Sequence, residues 1–468
     1  MCSCSKYRIF ASLYELKALN MKRKLIIILV VIATMAAPAM AGGLMTNTNY
    51  HIAFDRMMAR GATFEIDGAY SNPAGMVWTR EGWQFSFNWQ MPHQNRDITT
   101  TFPLFIDENN THKYHGKASA PFVPGLFAVY KKGDWAVSAM AGIVGSGGYV
   151  KYDEGVPMFS APLMALLYSY SSGTMTPDQY TIDSKMKGKQ YIYGAQVSVT
   201  RKITDYLAAS VGLRATYYDG YYRGHIITNM NQTGMELLNV QLDCDQTAWG
   251  FSPIIGLDFH MDRLTIAAKY EFRTKINTKN KTNELSANVA VPGFDMSKVQ
   301  PLLGAYQDGA RTRYDMPAML MVAVGYDFTD KFRATAEYHF FDDKSAKMAN
   351  DRQKALKRGT HEILIGAEYD INKTFTVSAG AQRTDYGLSD DYQAHTSFAC
   401  DSYSVGLGGA ANINEHLRLN LGYFWTMYSD YKKEVPAGNP GYCNTTMPGT
   451  DVFSRTNGVL GIGFDYKF

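Results

Sequence analysis

The chain of 468 residues carries 46 basic and 43 acidic side chains, a formal net charge of +3. This balance argues against a nucleic-acid-binding protein, which would need a basic patch or stripe. Tyrosine and glycine are abundant, at 32 and 41 residues, yet the mean hydropathy of -0.24 is that of a soluble protein. Transmembrane β-barrels give this combination, because lipid-facing apolar residues alternate with polar lumenal ones.

Residues 1–41 predict a leader. A basic stretch, Met21-Lys22-Arg23-Lys24, precedes the apolar residues 25–32, and Ala39-Met40-Ala41 has the small-residue pattern of a cleavage site. Residues 1–20 precede this signal peptide and are interpreted as an over-extended start, so the mature chain is expected to begin at Gly42. A membrane-anchoring helix is the alternative, but the apolar stretch is short. Without residues 1–41, 40 basic and 42 acidic side chains remain.

Three cysteines lie beyond the leader, at Cys244, Cys400 and Cys443. Export permits disulfides, and we expect a Cys400–Cys443 pair with Cys244 free. Their spacing matches no metal site, and no cofactor is expected.

Residues 42–81 lack strand periodicity and are rich in small and polar side chains. Such a segment ahead of the first strand is expected to fill the lumen of a barrel as a hatch, because a wide barrel needs something to limit leakage. A disordered tail is the alternative.

From residue 82 onward, no run of about 18 apolar residues occurs, so membrane-spanning helices are not expected. Strand-like alternation recurs instead, with one apolar and one polar face. The clearest segments are 264–273, 332–340 and 417–427. A soluble β-sandwich also alternates, but its strands are usually shorter.

The connections come in two sizes. Six short turns are predicted at 132–134, 204–205, 261–262, 329–330, 372–373 and 414–415. Seven long loops are predicted near 92–121, 151–187, 223–245, 281–310, 345–357, 388–396 and 433–455. Short periplasmic turns alternating with long extracellular loops are typical of an outer-membrane barrel, here of about 14 strands across residues 82–468.

The last strand alternates and ends on Phe468. A terminal strand ending in Phe resembles the signal that is read by the outer-membrane barrel assembly machinery. Together with the leader it predicts a Gram-negative outer-membrane protein, surrounded by lipid and expected to be a monomer.

Three motifs carry a family resemblance: Asn72-Pro73-Ala74-Gly75 before the first strand, Phe122-Val123-Pro124, and Met316-Pro317-Ala318-Met319. Their order and spacing resemble the FadL/TodX family of outer-membrane hydrocarbon and fatty-acid channels. The resemblance implies an all-β, 14-stranded transmembrane barrel with an N-terminal hatch. It also implies that extracellular loops capture a hydrophobic ligand, which leaves sideways through a kinked third strand.

A candidate for that lateral gate is the cluster Gly145-Ser146-Gly147-Gly148, because glycine within a strand marks a bulge or bend. Ordinary glycines of a barrel wall are the alternative.

Two loops are unusually apolar and are candidates for ligand capture. The nominated residues are Met158, Phe159, Met164, Leu166 and Leu167 in one loop, and Phe294 and Leu302 in the other. Loops that pack only against each other are the alternative. Arg223, and Lys344 beside Phe340, are candidates to bind a ligand carboxylate. Such residues can equally contact lipopolysaccharide phosphates or neighbouring acids.

No nucleophile, phosphate-loop or zinc-protease motif is present, so an enzyme is not expected. Two other classes stay open. One is a haem receptor that uses His93, His112, His115 or His225, and the other is a structural or adhesive barrel without transport.

Overall fold

The computed structural model describes residues 45–46, 48–120, 122–290 and 304–468. The predicted leader and the first mature residues lie outside this part of the chain. Three α-helices are described: α1 (Ile52–Met57), α2 (Gly68–Ser71) and α3 (Pro157–Tyr170). None of the helices in the described ranges is long and apolar enough to cross a membrane.

All of the described strands belong to one antiparallel sheet. Its segments are β1 (Gly82–Thr101), β2 (Thr111–Ser119), β3 (Val123–Lys132), β4 (Trp135–Tyr152), β5 (Tyr180–Lys202), β6 (Leu207–Met230), β7 (Glu236–Met261), β8 (Leu264–Glu271), β9 (Asn277–Val289), β10 (Arg311–Arg313), β11 (Met319–Asp327), β12 (Phe332–Phe341), β13 (Thr360–Asp370), β14 (Phe375–Asp385), β15 (Ser402–Asn412), β16 (Leu417–Tyr428), β17 (Tyr431–Val435) and β18 (Gly449–Lys467).

These segments form a closed barrel of 14 strands, as predicted. Four barrel strands are each built from two segments, namely β2 with β3, β8 with β9, β10 with β11, and β16 with β17. The barrel closes where β1 pairs with β18 along its length, from Gln84 opposite Lys467 to Thr101 opposite Thr450. Closure gives the backbone N–H and C=O groups of the edge strands hydrogen-bond partners. A sheet must meet this condition to cross a bilayer.

The predicted alternation fixes which face of each strand looks outward. On β16, Leu421, Tyr423 and Trp425 are exposed, whereas Asn420 and Thr426 are buried inside the barrel. An apolar outer surface with a polar interior is what a transmembrane barrel presents to lipid. Exposed aromatic residues gather beside the short turns, as in an interfacial girdle: Trp83, Trp135, Tyr206, Phe328, Phe332, Phe375 and Phe468.

All six predicted short turns connect adjacent strands at one end of the barrel. The predicted long loops were wrong in their bounds, because several strands continue well past the apolar band. Residues 223–245 contain only the short connection between β6, which ends at Met230, and β7, which begins at Glu236. Beyond the apolar band the outer face of β7 is polar, and its apolar residues Leu238, Val240 and Leu242 are buried on the inner face instead.

Candidate functional site

The hatch, defined here as residues 48–78, lies inside the barrel against the inner wall. Glycines on four neighbouring strands make room for α1, at Gly366, Gly380, Gly406 and Gly422. A Cβ atom at any of these positions would lie within 3.0 Å of an atom of residues 55–57. The helix can therefore pack backbone to backbone against the wall.

Buried ion pairs join the hatch to the wall. Arg56 of α1 pairs with Glu368 of β13, which also accepts a bond from Arg333 at 2.8 Å. Within the hatch, Arg60 donates to both carboxylate oxygens of Asp67, at 2.8 and 2.9 Å. Buried charges are tolerated only when they are paired in this way, so these contacts fix the position of the hatch.

Glu65 completes this network from the hatch side. It pairs with Arg60 at 2.6 Å and with Arg418 of β16 at 3.2 Å. Burial alone would raise the pKa of Glu65, but the charges of Arg418, Arg60 and Arg56 hold it well below its usual range. Because the pKa is lowered in the folded state, the stabilisation is present at neutral pH and is lost only as the pH falls through that lowered pKa.

Glu337 of β12 holds the hatch backbone directly. Its Oε2 accepts the backbone N–H groups of Arg60 and Gly61, each at 2.7 Å. Buried N–H groups need a partner, and here the wall supplies one carboxylate for two of them.

The Asn72-Pro73-Ala74-Gly75 motif forms the start of a 3-10 helix, Pro73–Trp78. The Asn72 amide donates to Asp258 of β7 at 2.6 Å, and its oxygen accepts the Gly75 N–H at 3.1 Å. Trp78 donates to the other oxygen of Asp258 at 2.7 Å. The motif thus ends the hatch at a fixed point on the wall, close to the short-turn end.

A break in the wall lies between the second and third barrel strands. The β3–β4 ladder runs from Lys132 opposite Trp135 to Gly125 opposite Gly142. Beyond it, β2 pairs with β4 only at residues 116–117, opposite 151–152. Among the described residues, positions 143–150 of β4 make no ladder pairs with the second barrel strand. This stretch, which β5 pairs on its other side, is called the wall gap below.

The glycine cluster 145–148 lies within the wall gap. There β4 continues as a strand, but its register against β5 shifts between Ile143 and Gly145 and again between Ser146 and Gly148. Gly148 has a φ of 75°, a left-handed conformation that side chains other than glycine rarely adopt. The expected irregularity of this strand is therefore present at these residues.

Tyr50 of the hatch reaches the wall gap from inside. Its hydroxyl donates to the Val144 carbonyl at 2.7 Å, within the wall gap. The ring is held edge-on against Tyr70, with centroids 4.9 Å apart. The hatch thus supplies a hydrogen bond that the neighbouring strand does not.

The outer wall has a hollow of about 630 Å³ on the short-turn side of the gap. Small residues of three strands form its floor, at Ala128, Ala139, Ala141 and Ala195, and aromatic residues of β1 and β18 border it. The last β3–β4 pair, Gly125 with Gly142, separates this apolar hollow from the wall gap.

The first apolar loop is helical. Met158, Phe159, Leu166 and Leu167 lie on α3 and are buried, and Met164 is half-buried. They belong to an apolar cluster at the long-loop end, called the loop cluster, with Ile98, Phe102, Val150, Tyr152, Phe398 and Phe453 among its members. The expected exposed patch is therefore covered, because α3 folds over the mouth of the barrel.

The other nominated residues do not join the loop cluster. Arg223 is 44% exposed and binds Asp243 at 3.0 Å and Asp245 at 3.2 Å. Lys344 is exposed, and Phe340 shares the outer face of β12 with Tyr338. Phe294 and Leu302 lie outside the described residues, so their expected role in ligand capture stays a prediction.

The three cysteines are free thiols, so the expected Cys400–Cys443 disulfide is not formed. Cys400 instead donates to the Phe453 carbonyl at 3.5 Å. Of the histidines considered for haem, His112 lies between Asp107 and Glu154, and His115 and His225 each contact an aspartate. The described ranges contain no cluster of three or more metal-ligating residues.

Sequence reasoning did not find Tyr50 or Glu337. Both act through partners more than 90 residues away, and neither has a local signal. Glu337 did alternate onto the polar face of its strand, which placed it in the lumen but did not name its partner.

No protein-family model matches the chain, and no curated protein matches it. Several solved structures, however, are similar to the chain. A FadL homologue from Pseudomonas aeruginosa has a TM-score of 0.63 at 13% identity, over 91% of this chain and 99% of that one. The Ralstonia pickettii toluene transporter TbuX has a TM-score of 0.55 at 14% identity, over 90% and 99%.

The Pseudomonas putida toluene transporter TodX gives a TM-score of 0.55 at 13% identity, over 92% of this chain and all of that one. These similarities extend across the hatch and the barrel together. The resemblance predicted from the sequence motifs is thus confirmed at the level of fold: this chain, a closed barrel of 14 strands, shares its fold with these FadL and TodX structures.

Proposed function

We propose that this protein is an outer-membrane channel for the passive uptake of hydrophobic molecules, and that its ligands are long-chain fatty acids. The observation that carries the proposal is the position of the wall gap. Val150, the last residue of the gap, belongs to the loop cluster. Along β4, therefore, the apolar site at the mouth lies next to the break in the wall, and both adjoin the lumen that the hatch fills.

The long-loop end is assigned to the outside of the cell and the short turns to the periplasm, as in other barrels of this kind. Capture is proposed at α3, through Met158, Phe159, Met164, Leu166 and Leu167. Phe294, Leu302 and Phe340 are further apolar candidates, and Arg223 and Lys344 are candidates for the head group.

Release is proposed through the wall, at Gly145, Ser146, Gly147 and Gly148. Each methylene of an acyl chain gains about 0.8 kcal/mol when it leaves water, so release into the aqueous periplasm would be strongly uphill. Sideways release keeps the chain in an apolar medium. Next to the gap, the hollow on the outer wall has an alanine floor and an aromatic border, so an acyl chain that leaves there would contact apolar side chains.

The similar solved structures support transport over catalysis, because they are described as a FadL homologue and as toluene transporters. We infer that the chain is not an enzyme, works as a monomer among outer-membrane lipids, and is delivered by the barrel assembly machinery through its last strand. In support, Phe468 directly follows β18 and donates its N–H to the Trp83 carbonyl of β1.

The test is uptake of a radiolabelled long-chain fatty acid by cells that lack their own channel. Cells that produce this protein should take up the acid faster than cells with an empty vector. Phe159→Asp, which places a charge in the loop cluster, should lower the rate by about ten-fold or more, because an unpaired buried charge disrupts an apolar site. Tyr168→Asp, on the exposed side of α3, is the matched control. Uptake no faster than with the empty vector would refute the proposal.

A further inference from the structure

The inference concerns a row of basic side chains on the outer wall. Lys117 of β2 lies directly opposite Lys151 of β4, and Lys151 lies opposite Lys187 of β5. Lys187 in turn lies opposite Arg223 of β6. The residues that flank the three lysines along their strands are buried, so the lysine side chains point outward. Four cations thus stand side by side across adjacent barrel strands, and they are called the basic row below.

The basic row is unfavourable by itself, because like charges directly opposite each other destabilise a sheet. Two aspartates bind Arg223, and Lys151 pairs with Asp153 at 2.6 Å. Among the described residues, no carboxylate pairs with Lys117 or Lys187. These two lysines flank Lys151, so the row carries an excess of positive charge that an anion from outside the chain would offset.

The excess charge is confined to one side of the barrel. On another side, near the long-loop end, Arg383 of β14 lies between Ile363 and Tyr403 on the outer face. The next residues of that row, Tyr338 and Met427, are also uncharged. The guanidinium of Arg383 lies 5.2 Å from the centroid of the Tyr403 ring. The basic row is therefore a local feature of the outer surface rather than a property of the whole rim.

Aromatic side chains lie on the short-turn side of the basic row. In the next outward-facing row, Tyr149 and Tyr221 flank Lys189, which an aspartate binds. Two rows further on, Tyr217 pairs with Trp249. Aromatic residues on the surface of a barrel mark the interface between hydrocarbon and head groups. The basic row thus lies at the level of the lipid head groups, on the side away from the hydrocarbon.

We propose that Lys117, Lys151 and Lys187 bind the phosphate of an outer-leaflet lipid, the phosphorylated glycolipid lipopolysaccharide. Lysine ammonium groups bind phosphate as point charges, and each basic residue near an anionic lipid surface adds to the affinity. The Lys117–Lys151 pair bounds the wall gap on its long-loop side, so the acyl chains of the bound lipid would lie against the outer wall beside the gap. The inference goes beyond uptake, and it uses only the proposed assignment of the long-loop end to the cell exterior.

The test measures binding of bisphosphorylated lipid A, and of the same lipid without its phosphates, to the full protein in a non-ionic detergent. Native mass spectrometry counts the bound lipids. The wild type should bind the phosphorylated form about ten-fold more tightly or better. Lys117→Gln with Lys187→Gln should weaken that binding by about ten- to thirty-fold, because each basic residue contributes roughly five-fold. Lys354→Gln with Lys357→Gln, at two exposed lysines of a loop at the same end, is the matched control and should bind as wild type.

Lys117→Arg with Lys187→Arg keeps both charges and should also bind lipid A as wild type. Lys187→Gln alone, with binding about five-fold weaker, serves if the double glutamine variant fails to assemble as a heat-modifiable barrel. Equal affinity of the wild type for the two lipids, or undiminished affinity in the glutamine variants, would overturn the inference. Displacement of lipid A by inorganic phosphate at the same concentration would do so as well, since it would assign the basic row to a free anion. None of these results involves uptake, so each leaves the proposed function standing.

Discussion

Individual carboxylates on the inner wall hold the hatch in place. Glu368 neutralises Arg56, and Glu337 accepts two backbone N–H groups of the hatch. The two contacts differ in kind. Glu368 neutralises a charge, whereas Glu337 accepts hydrogen bonds from the main chain. Because both partners are buried, losing either carboxylate leaves hatch groups without a partner, which costs more than the bond itself is worth.

We predict that Glu337→Leu loosens the hatch. Two buried N–H groups would lose their acceptor, at a cost of about 1–3 kcal/mol each. Amide hydrogen exchange of residues 58–64 should become at least ten-fold faster in a correctly inserted barrel. Glu434→Leu, at an exposed carboxylate of β17 that pairs with Lys432, is the matched control and should leave that exchange unchanged. Wild-type protection in the Glu337 variant would show that the hatch is held by other contacts.

At the scale of elements, β4 is the strand on which the wall and the hatch meet. Its first half is paired on both sides, whereas residues 143–150 are paired only with β5. Tyr50 compensates in part, because its hydroxyl binds the Val144 carbonyl. A hatch residue is therefore placed where it can respond to, or control, the conformation of the wall gap.

We expect Tyr50→Phe to raise the mobility of this strand without displacing the hatch. The ring contact with Tyr70 is kept, and one hydrogen bond of about 0.5–1.5 kcal/mol is lost. Amide exchange of residues 141–152 should speed up by about two- to ten-fold. Tyr386→Phe removes another hydroxyl contact between wall and N-terminal segment, to Thr46, and should not affect β4. Equal exchange in both variants and the wild type would argue against a link between Tyr50 and the gap.

Strand number and turns could be predicted from the sequence, because alternation and turn residues are local signals. Asp262, for instance, has a positive φ in the short turn before β8, as its residue type favours. The long β6–β7 hairpin was misjudged as a loop, because outside the apolar band its outer face is polar and its apolar residues, such as Leu238, Val240 and Leu242, are buried on the inner face.

The candidate site was less accessible to prediction. The apolar residues of α3 were identified by composition, but their burial depends on segments as distant as Phe398 and Phe453. The basic row brings together residues of four barrel strands, and no local pattern encodes it.

The whole molecule is a closed barrel whose lumen is filled by its own N-terminal segment. Backbone packing at the wall glycines, buried ion pairs and the Asn72 contact to Asp258 anchor that segment at separate points. A route straight down the lumen would have to break all of these contacts. A route through the wall gap would have to displace the Tyr50 hydrogen bond and the apolar side chains packed beside Gly145, among them Ile192 and Met316, and would lead to the apolar hollow outside.

The most direct measurement is the uptake rate of a labelled long-chain fatty acid by cells that produce Gly148→Val. Gly148 has a φ of 75° with open space around it, so a β-branched residue would favour a regular strand by about 1–3 kcal/mol. Gly133→Val is the matched control, because Gly133 has a φ of 56° and equally open space, but lies in a short turn away from the gap.

With equal amounts of inserted protein, uptake through Gly148→Val should fall by about five-fold or more relative to Gly133→Val, while binding of the acid in detergent stays unchanged. Equal uptake by the two variants would contradict passage through the wall.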